Sequence, residues 1–81
     1  MPKLTRETRD WLLDKRKSLN LTQEQVANKA GIARTTFASI EKGERNPSVL
    51  NAKRIAKVLN FNWTIFFEDI VRDMSNEKYS A

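Results

Sequence analysis

The stretch that decides the fold is residues 22–43, TQEQVANKAGIARTTFASIEKG, which contains two short amphipathic segments. Gly31 lies between the segments, and Gly43 follows the second one. At both positions a left-handed backbone can end a helix, because glycine has no side chain to clash. Apolar residues recur at helical spacing in each segment: Val26, Ala27 and Ala30 in the first, Phe37 and Ile40 in the second. We therefore predict two helices, Gln23–Ala30 and Arg34–Lys42.

The start of the first segment carries three signals that are typical of a helix N-terminus. Thr22 is a good N-cap, because its hydroxyl can accept a hydrogen bond from an amide of the first turn. Gln25 can reach back to the Thr22 amide and complete a capping box. Leu21 and Val26 occupy the two positions of a hydrophobic staple. All three signals predict that the helix begins directly after Thr22.

A helix, a tight turn and a second helix at this spacing form a helix-turn-helix, the unit that lays its second helix in the DNA major groove. Outside its apolar face the second helix carries small or polar residues, most of which can form hydrogen bonds: Arg34, Thr35, Thr36, Ala38, Ser39 and Lys42. A helix that enters a groove needs such a face. We therefore interpret Arg34–Lys42 as a recognition helix.

Three further helices are predicted around this unit. The first covers Thr5–Ser18. A fourth follows the turn-rich loop at residues 43–47, with Ser48 as its cap and Asn60 as its left-handed end. A fifth covers Trp63 to about Met74 and is capped by Asn62. The fourth helix places five apolar residues on one stripe: Val49, Ala52, Ile55, Ala56 and Leu59.

The length of 81 residues indicates one domain with a modest core. We expect an all-α domain over residues 1–74, which includes the C-terminal helix, and a disordered tail over residues 75–81. The tail sequence, SNEKYSA, has few apolar residues to bury.

The composition excludes several classes of site. The chain has no Cys and no His. A disulfide framework, a Cys- or His-based metal site and the commonest nucleophile–base pairs of hydrolases are therefore excluded. Carboxylate chemistry is formally open, but no constellation of residues supports it. We predict no enzyme activity, no metal site and no cofactor.

The chain carries no recognisable targeting or membrane segment. Its first residues, MPKLTRETRDWLLDKRKSLN, are too charged for a signal peptide. No stretch approaches the ~20 apolar residues that span a membrane. The absence of Cys is compatible with a reducing compartment. We expect a soluble cytoplasmic protein that does not associate with a membrane.

The net charge is +5 and is unevenly distributed. Residues 1–60 carry 13 Lys and Arg against 6 Asp and Glu, whereas residues 61–81 carry 2 against 4. A basic body with a slightly acidic end suits a protein whose body faces a polyanion. Charge alone is equally compatible with an ordinary solubilising surface.

Residues 21–48, LTQEQVANKAGIARTTFASIEKGERNPS, resemble the phage repressor/Cro-like helix-turn-helix family, also called the XRE family. The matching segments are Leu21-Thr22-Gln23, Ala27 with Gly31, Ile40-Glu41-Lys42-Gly43 and Asn46-Pro47-Ser48. The resemblance extends over roughly Leu12 to Phe66. It implies a five-helix, lambda-repressor-like DNA-binding domain with the helix-turn-helix at helices 2 and 3.

The resemblance also implies roles for individual residues. Three residues match base-edge readers: Arg34, Thr35 and Ser39. Five match contacts to the DNA backbone: Gln23, Thr36, Lys42, Arg45 and Asn46. Gln23 also matches a residue that braces helix 3. Arg16 and Glu41 match an ion pair between helices 1 and 3. An Arg at the position of Arg34 can bind guanine O6 and N7 bidentately, although a solvated surface Arg is the alternative.

One position departs from the pattern of the family. Ala33 stands where family members often have a Ser or Thr that caps helix 3. Alanine cannot cap, and the loss of a cap costs about 0.5–2 kcal/mol in typical hosts. The substitution also removes a phosphate contact that the resemblance would imply.

The segment after the fourth helix is rich in aromatic residues, with Phe61, Trp63, Phe66 and Phe67 close together. This is more than a single-chain core of this size readily buries, and exposed apolar patches mark interfaces. We therefore predict a homodimer interface formed by Trp63, Phe66, Phe67 and Ile70. The alternative is that Trp11 and Leu13 of helix 1 cover these aromatics within one chain.

These features favour a sequence-specific DNA-binding transcriptional regulator, a dimeric repressor on a two-fold symmetric operator in double-stranded DNA. The alternative is an antitoxin that binds both DNA and a toxin protein through its acidic, aromatic C-terminal end. A third hypothesis is an interaction module that kept only the fold. Loss of the polar face of helix 3 would have indicated this hypothesis, but that face is present. A protein partner, either a toxin or polymerase, is unproven by the sequence.

Overall fold

The structure, a computed structural model, describes residues 8–68 of the 81-residue chain. Within this range lie the helices α1 (Asp10–Ser18), α2 (Gln23–Ala30), α3 (Arg34–Lys42) and α4 (Val49–Leu59). A fifth helical segment starts at residue 65 and is described to residue 68. The predicted all-α fold is confirmed, and α2 and α3 have the predicted bounds.

The helix ends follow the local signals in the sequence. The Thr22 hydroxyl accepts from the Gln25 amide at 3.1 Å, and Gln25 Oε1 accepts from the Thr22 amide at 2.8 Å. This confirms the predicted capping box. Ser48 caps α4 by accepting from the Asn51 amide. The left-handed ends are also confirmed, with φ values of 74° at Gly31, 83° at Gly43 and 63° at Asn60.

The core lies where α2 packs against both α3 and α4, and α1 packs on α3. It is built from side chains of every helix: Leu12, Val26, Ala27, Ala30, Phe37, Ile40, Ala52, Ile55, Leu59 and Phe66. Phe37 and Ile40 are fully buried, so the predicted apolar face of α3 is confirmed. Burial of these two side chains fixes the rotation of α3 and turns its opposite face outward.

The predicted start of helix 1 is wrong. The described part of helix 1 begins at Asp10, because Arg9 has a non-helical backbone and is tied to α3 and the loop after it. Residues 5–7 of the predicted helix lie outside the described residues. In α4, Val49 is half exposed. It lies in the first turn and at the edge of the apolar stripe, so the core does not cover it.

The aromatic cluster corrects the predicted dimer interface. Phe66 is fully buried within one chain, so its assignment to an intermolecular surface is wrong. The reason is that Trp11 covers it, with its ring centroid 5.1 Å from that of Phe66 and 5.4 Å from that of Phe61. The predicted alternative, in which helix 1 covers the aromatics, therefore holds for Phe66.

Other parts of the C-terminal prediction have different outcomes. Asn62 Oδ1 accepts from the Thr64 amide at 3.0 Å, the kind of bond predicted for a cap. The predicted helix start at Trp63 is wrong, because residues 63–64 form a turn and the helical segment starts at residue 65. Trp63 and Phe67 are half-buried and remain candidates for an interface. Ile70, the end of the predicted fifth helix at Met74, and the predicted tail at residues 75–81 lie outside the described residues. Over residues 8–68, no helix has the length and apolarity required to span a membrane.

Candidate nucleic-acid interface

The outer face of α3 is polar and accessible over most of its length. At about 100° per residue, Thr35, Ser39 and Lys42 lie on the side opposite Phe37 and Ile40. Thr35 and Lys42 are exposed, and Ser39 is half-buried. The side chains on this face therefore offer two hydroxyl groups and one ammonium group to a partner.

Arg34 lies at the exposed N-terminal end of this face. It is the first residue of α3, and its Nη1 lies 3.5 Å from Gln23 Oε1 at the start of α2. This contact is long for a hydrogen bond, so it orients the guanidinium only loosely. Arg34 therefore keeps most of its donors available for a ligand. Thr36, on the flank of α3, is half-buried.

A hydrogen-bond network holds the inner side of α3. Arg16 Nε donates to Glu41 Oε2 at 2.8 Å, and Arg16 Nη2 donates to Glu41 Oε1 at 3.2 Å. The implied ion pair between α1 and α3 is thus present, in a two-bond arrangement. Gln23 Nε2 also donates to Glu41 Oε1, at 2.6 Å. Gln23 therefore braces α3 as the family resemblance implies, and the network joins three helices.

This network keeps negative charge away from the outer face of α3. Glu41 is the only acidic residue in α3, and its side chain is 5% exposed. Because Arg16 and Gln23 occupy both of its oxygens, the carboxylate is turned away from the outer face. The exposed charges contributed by α3 itself, Arg34 and Lys42, are both positive. Such a surface attracts a polyanion.

The loop after α3 adds further polar groups beside this face. Arg45 and Asn46 are exposed, whereas the following Pro47 is buried and anchors the loop. The Glu44 amide donates to the Ser39 carbonyl at 3.0 Å, which closes the end of α3. Arg45 and Asn46 thus lie at the C-terminal end of α3, and Arg34 and Gln23 lie at its N-terminal end.

Sequence reasoning missed Arg9, to which it assigned no role. Arg9 is 2% exposed, and its Nη2 donates to Asn46 Oδ1 at 2.7 Å. One signal in the sequence indicated its position. Arg9 stands three residues before the buried Leu12, and residues at this spacing lie on the same face of a helix.

Three comparisons place these residues in a wider group. A family model described as helix-turn-helix, HTH_3, matches residues 12–66. The chain is 46% identical over 74 residues to the protein named uncharacterized HTH-type transcriptional regulator YqaF of Bacillus subtilis strain 168, covering 90% of this chain and 97% of that one. It is 32% identical over 59 residues to control protein C.MunI of a Mycoplasma species, covering 73% and 80%.

A solved structure shows the same arrangement of helices. The restriction-modification controller protein C.AhdI from Aeromonas hydrophila matches with a TM-score of 0.63 and 29% identity, covering 68% of this chain and 83% of that one. The matched family region contains α2, α3, α4 and most of α1. This chain belongs to the HTH_3, or XRE-like, family of helix-turn-helix proteins.

Proposed function

We propose that this chain is a cytoplasmic, dimeric transcriptional repressor that binds a two-fold symmetric operator in double-stranded DNA. The observation that carries the proposal is the outer face of α3, which is polar, carries only positive charge and is held in place by the Arg16–Glu41–Gln23 network. The relatives support it, because their names describe HTH-type transcriptional regulators and a control protein.

In this proposal the side chains divide into two groups. Arg34, Thr35 and Ser39 would meet base edges in the major groove, where hydroxyl and guanidinium groups can distinguish base pairs. The backbone phosphates would be met by flanking residues on both sides of this helix: Gln23, Thr36, Lys42, Arg45 and Asn46. Phosphate contacts set register and most of the affinity, and base contacts set specificity.

The mechanism is occupancy of the operator. In a dimer the two recognition helices would enter successive major grooves about 34 Å apart. The bound dimer would then block polymerase. The antitoxin alternative has weaker support, because the relatives are named as regulators and repressors. The same family membership supports a binding protein rather than an enzyme.

Selection of bound sequences from random duplex DNA tests the proposal directly. We expect enrichment of a palindromic site whose half-sites are separated by about one helical turn. A failure to enrich any sequence would contradict specific DNA binding. An enriched site without a two-fold repeat would contradict the dimeric mechanism but not DNA binding.

A matched pair of variants tests which face binds. Thr35→Glu adds a negative charge to the exposed outer face of α3, and we expect it to abolish enrichment. Lys57→Glu makes a larger change of charge on an exposed position of α4, which packs on α2. It should leave the selected sequence unchanged. Loss of the sequence preference in Lys57→Glu alone would mean that α3 is not the reading helix.

A further inference from the structure

Among residues 8–68, Arg9 is the most deeply buried basic residue, and the proposed function does not use it. A charged side chain is almost never fully buried unless it is paired. Arg9 is 2% exposed, and its guanidinium donates to three oxygens. Two are main-chain oxygens, of Ile40 and of Arg45, and the third is the side-chain oxygen of Asn46. All three belong to the end of α3 or to the loop after it.

The contacts of Arg9 are well suited to the end of a helix. The carbonyls in the last turn of a helix lack intrahelical partners and carry partial negative charge. Arg9 supplies a positive charge there, and its own amide donates to the Glu41 carbonyl at 2.9 Å. Arg9, which directly precedes α1, therefore contacts the C-terminal end of α3 through both its main chain and its side chain.

The contact with Asn46 fixes the orientation of an exposed amide. A guanidinium has only donors, so the group that Asn46 presents to it must be the carbonyl oxygen. The Asn46 Oδ1 to Arg9 Nη2 distance is 2.7 Å. The NH2 group of the same amide is therefore directed away from Arg9, and Asn46 is exposed. Without Arg9 the amide could rotate and present its oxygen outward instead.

We propose that Arg9 is a positioning residue for DNA binding, which orients the Asn46 amide so that its NH2 group donates to a backbone phosphate. This inference rests on the proposed function. It adds a residue outside the helix-turn-helix that controls one phosphate contact of the loop after α3. An amide in the reverse orientation would place an acceptor oxygen against a phosphate oxygen, and the two would repel.

Two single variants and their combination test the coupling. Arg9→Lys keeps the buried positive charge but loses the planar fork that spans the three oxygens. Asn46→Ala removes the amide. Binding is measured on a short random-sequence duplex at several salt concentrations, because phosphate contacts are independent of sequence. Each variant is measured at a temperature at which circular dichroism shows it fully folded.

We expect each single variant to weaken binding about tenfold, the effect of losing one hydrogen bond to a charged group. Because the Asn46 amide is neutral and releases no counterion, the slope of log affinity against log salt should change little in either variant. Because Arg9 acts through Asn46, Arg9→Lys should have a much smaller effect in the Asn46→Ala background. Equal effects of Arg9→Lys in both backgrounds would overturn the proposal.

A third variant separates orientation from stability. Asn46→Asp keeps an acceptor for Arg9 but replaces the outward NH2 group with a carboxylate oxygen. We expect its melting temperature to be at least that of the wild type and its DNA affinity to fall more than that of Asn46→Ala. Affinity equal to the wild type would overturn the proposal. As a control for general destabilisation, Ile55→Val in the core of α4 should lower the melting temperature without weakening DNA binding at a temperature at which it is folded.

The outcomes also separate this inference from the proposed function. If the wild-type chain does not bind the duplex at low salt, the proposed function fails, and this inference fails with it. If the wild type binds but Arg9→Lys leaves the affinity unchanged, only the role of Arg9 is wrong.

Discussion

At the scale of single residues, the buried Glu41 holds α3 in place against α1 and α2. Three donors, two from Arg16 and one from Gln23, reach its two oxygens at 2.6–3.2 Å. Arg16 also donates to the Leu21 carbonyl at 2.8 Å, so it links the end of α1 to the start of α2. The Glu41 carboxylate thus connects α3 to α1 and α2, and it leaves the outer face of α3 free of negative charge.

We expect the Arg16–Glu41 pair to behave as a buried pair, because the two side chains are only 13% and 5% exposed. Arg16→Met or Glu41→Gln alone should lower the free energy of unfolding by about 3–5 kcal/mol, since each leaves polar groups of the network without partners. A double-mutant cycle by chemical denaturation should give a coupling of about 0.5–3 kcal/mol. The exposed Lys17→Met, on the same helix, is the control and should change stability by less than about 0.5 kcal/mol. A coupling near zero would contradict a stabilising pair.

Arg34 provides a prediction about specificity. Arg34→Ala should weaken binding to the selected operator by about 1–3 kcal/mol and relax the preference at one base pair of each half-site. The reason is that a lost bidentate contact to a base affects matched DNA more than random DNA. Titrations of both duplexes by fluorescence anisotropy measure the difference. Equal weakening on the two duplexes would make Arg34 a phosphate contact.

At the scale of elements, α3 differs from its neighbours in how it begins. Thr22 and Ser48 cap α2 and α4 with side-chain hydrogen bonds, whereas Ala33 at the start of α3 makes none. Ala33 nevertheless has the extended backbone of an N-cap, with φ −70° and ψ 146°. Although Ala33 supplies no side-chain cap, α3 begins at Arg34 as predicted, because Gly31 and the burial of Phe37 determine its position.

We therefore expect Ala33→Ser to stabilise the protein. The backbone at residue 33 is already suitable for a cap, so a hydroxyl should add about 0.5–2 kcal/mol to the free energy of unfolding. Thermal and urea denaturation measure the gain. Ala33→Val, which adds bulk without an acceptor at the same exposed position, is the control and should give no gain. If Ser and Val have the same effect, capping is not the cause.

At the scale of the whole molecule, the aromatic segment at residues 61–67 packs mainly in or against the core. Phe66 packs inside the chain, while the half-buried Trp63 and Phe67 form their own contact with ring centroids 5.8 Å apart. Lys53 Nζ lies 5.1 Å from the centroid of the Trp63 ring and covers part of it. Of the described residues predicted for a dimer interface, Trp63 and Phe67 are accessible to a second chain, and Phe66 is not.

We expect Phe67→Lys to give a folded monomer with weaker operator binding and a gentler salt slope, because fewer phosphates are engaged at once. Phe66→Ala should instead lower the free energy of unfolding by about 3–5 kcal/mol, as for a truncated core aromatic. Sedimentation at tens of micromolar together with thermal melting distinguishes the two. A wild-type chain that sediments as a monomer would contradict the dimer interface.

The local signals of this sequence determined the helix-turn-helix and the ends of its helices. Capping boxes, left-handed glycines and apolar spacing act between residues within two turns of each other, so the bounds of α2 and α3 follow from the chain alone. The polar outer face of α3 follows as well, since burial of Phe37 and Ile40 leaves it no other orientation.

Tertiary structure alone decided where Arg9 and Phe66 lie. Arg9 bonds to oxygens 31 to 37 residues away, and it has a non-helical backbone directly before α1. Phe66 is buried because Trp11 covers it. An amphipathic pattern indicates that a face is apolar, but it cannot say whether the same chain or a second one covers it, because that depends on how distant helices pack.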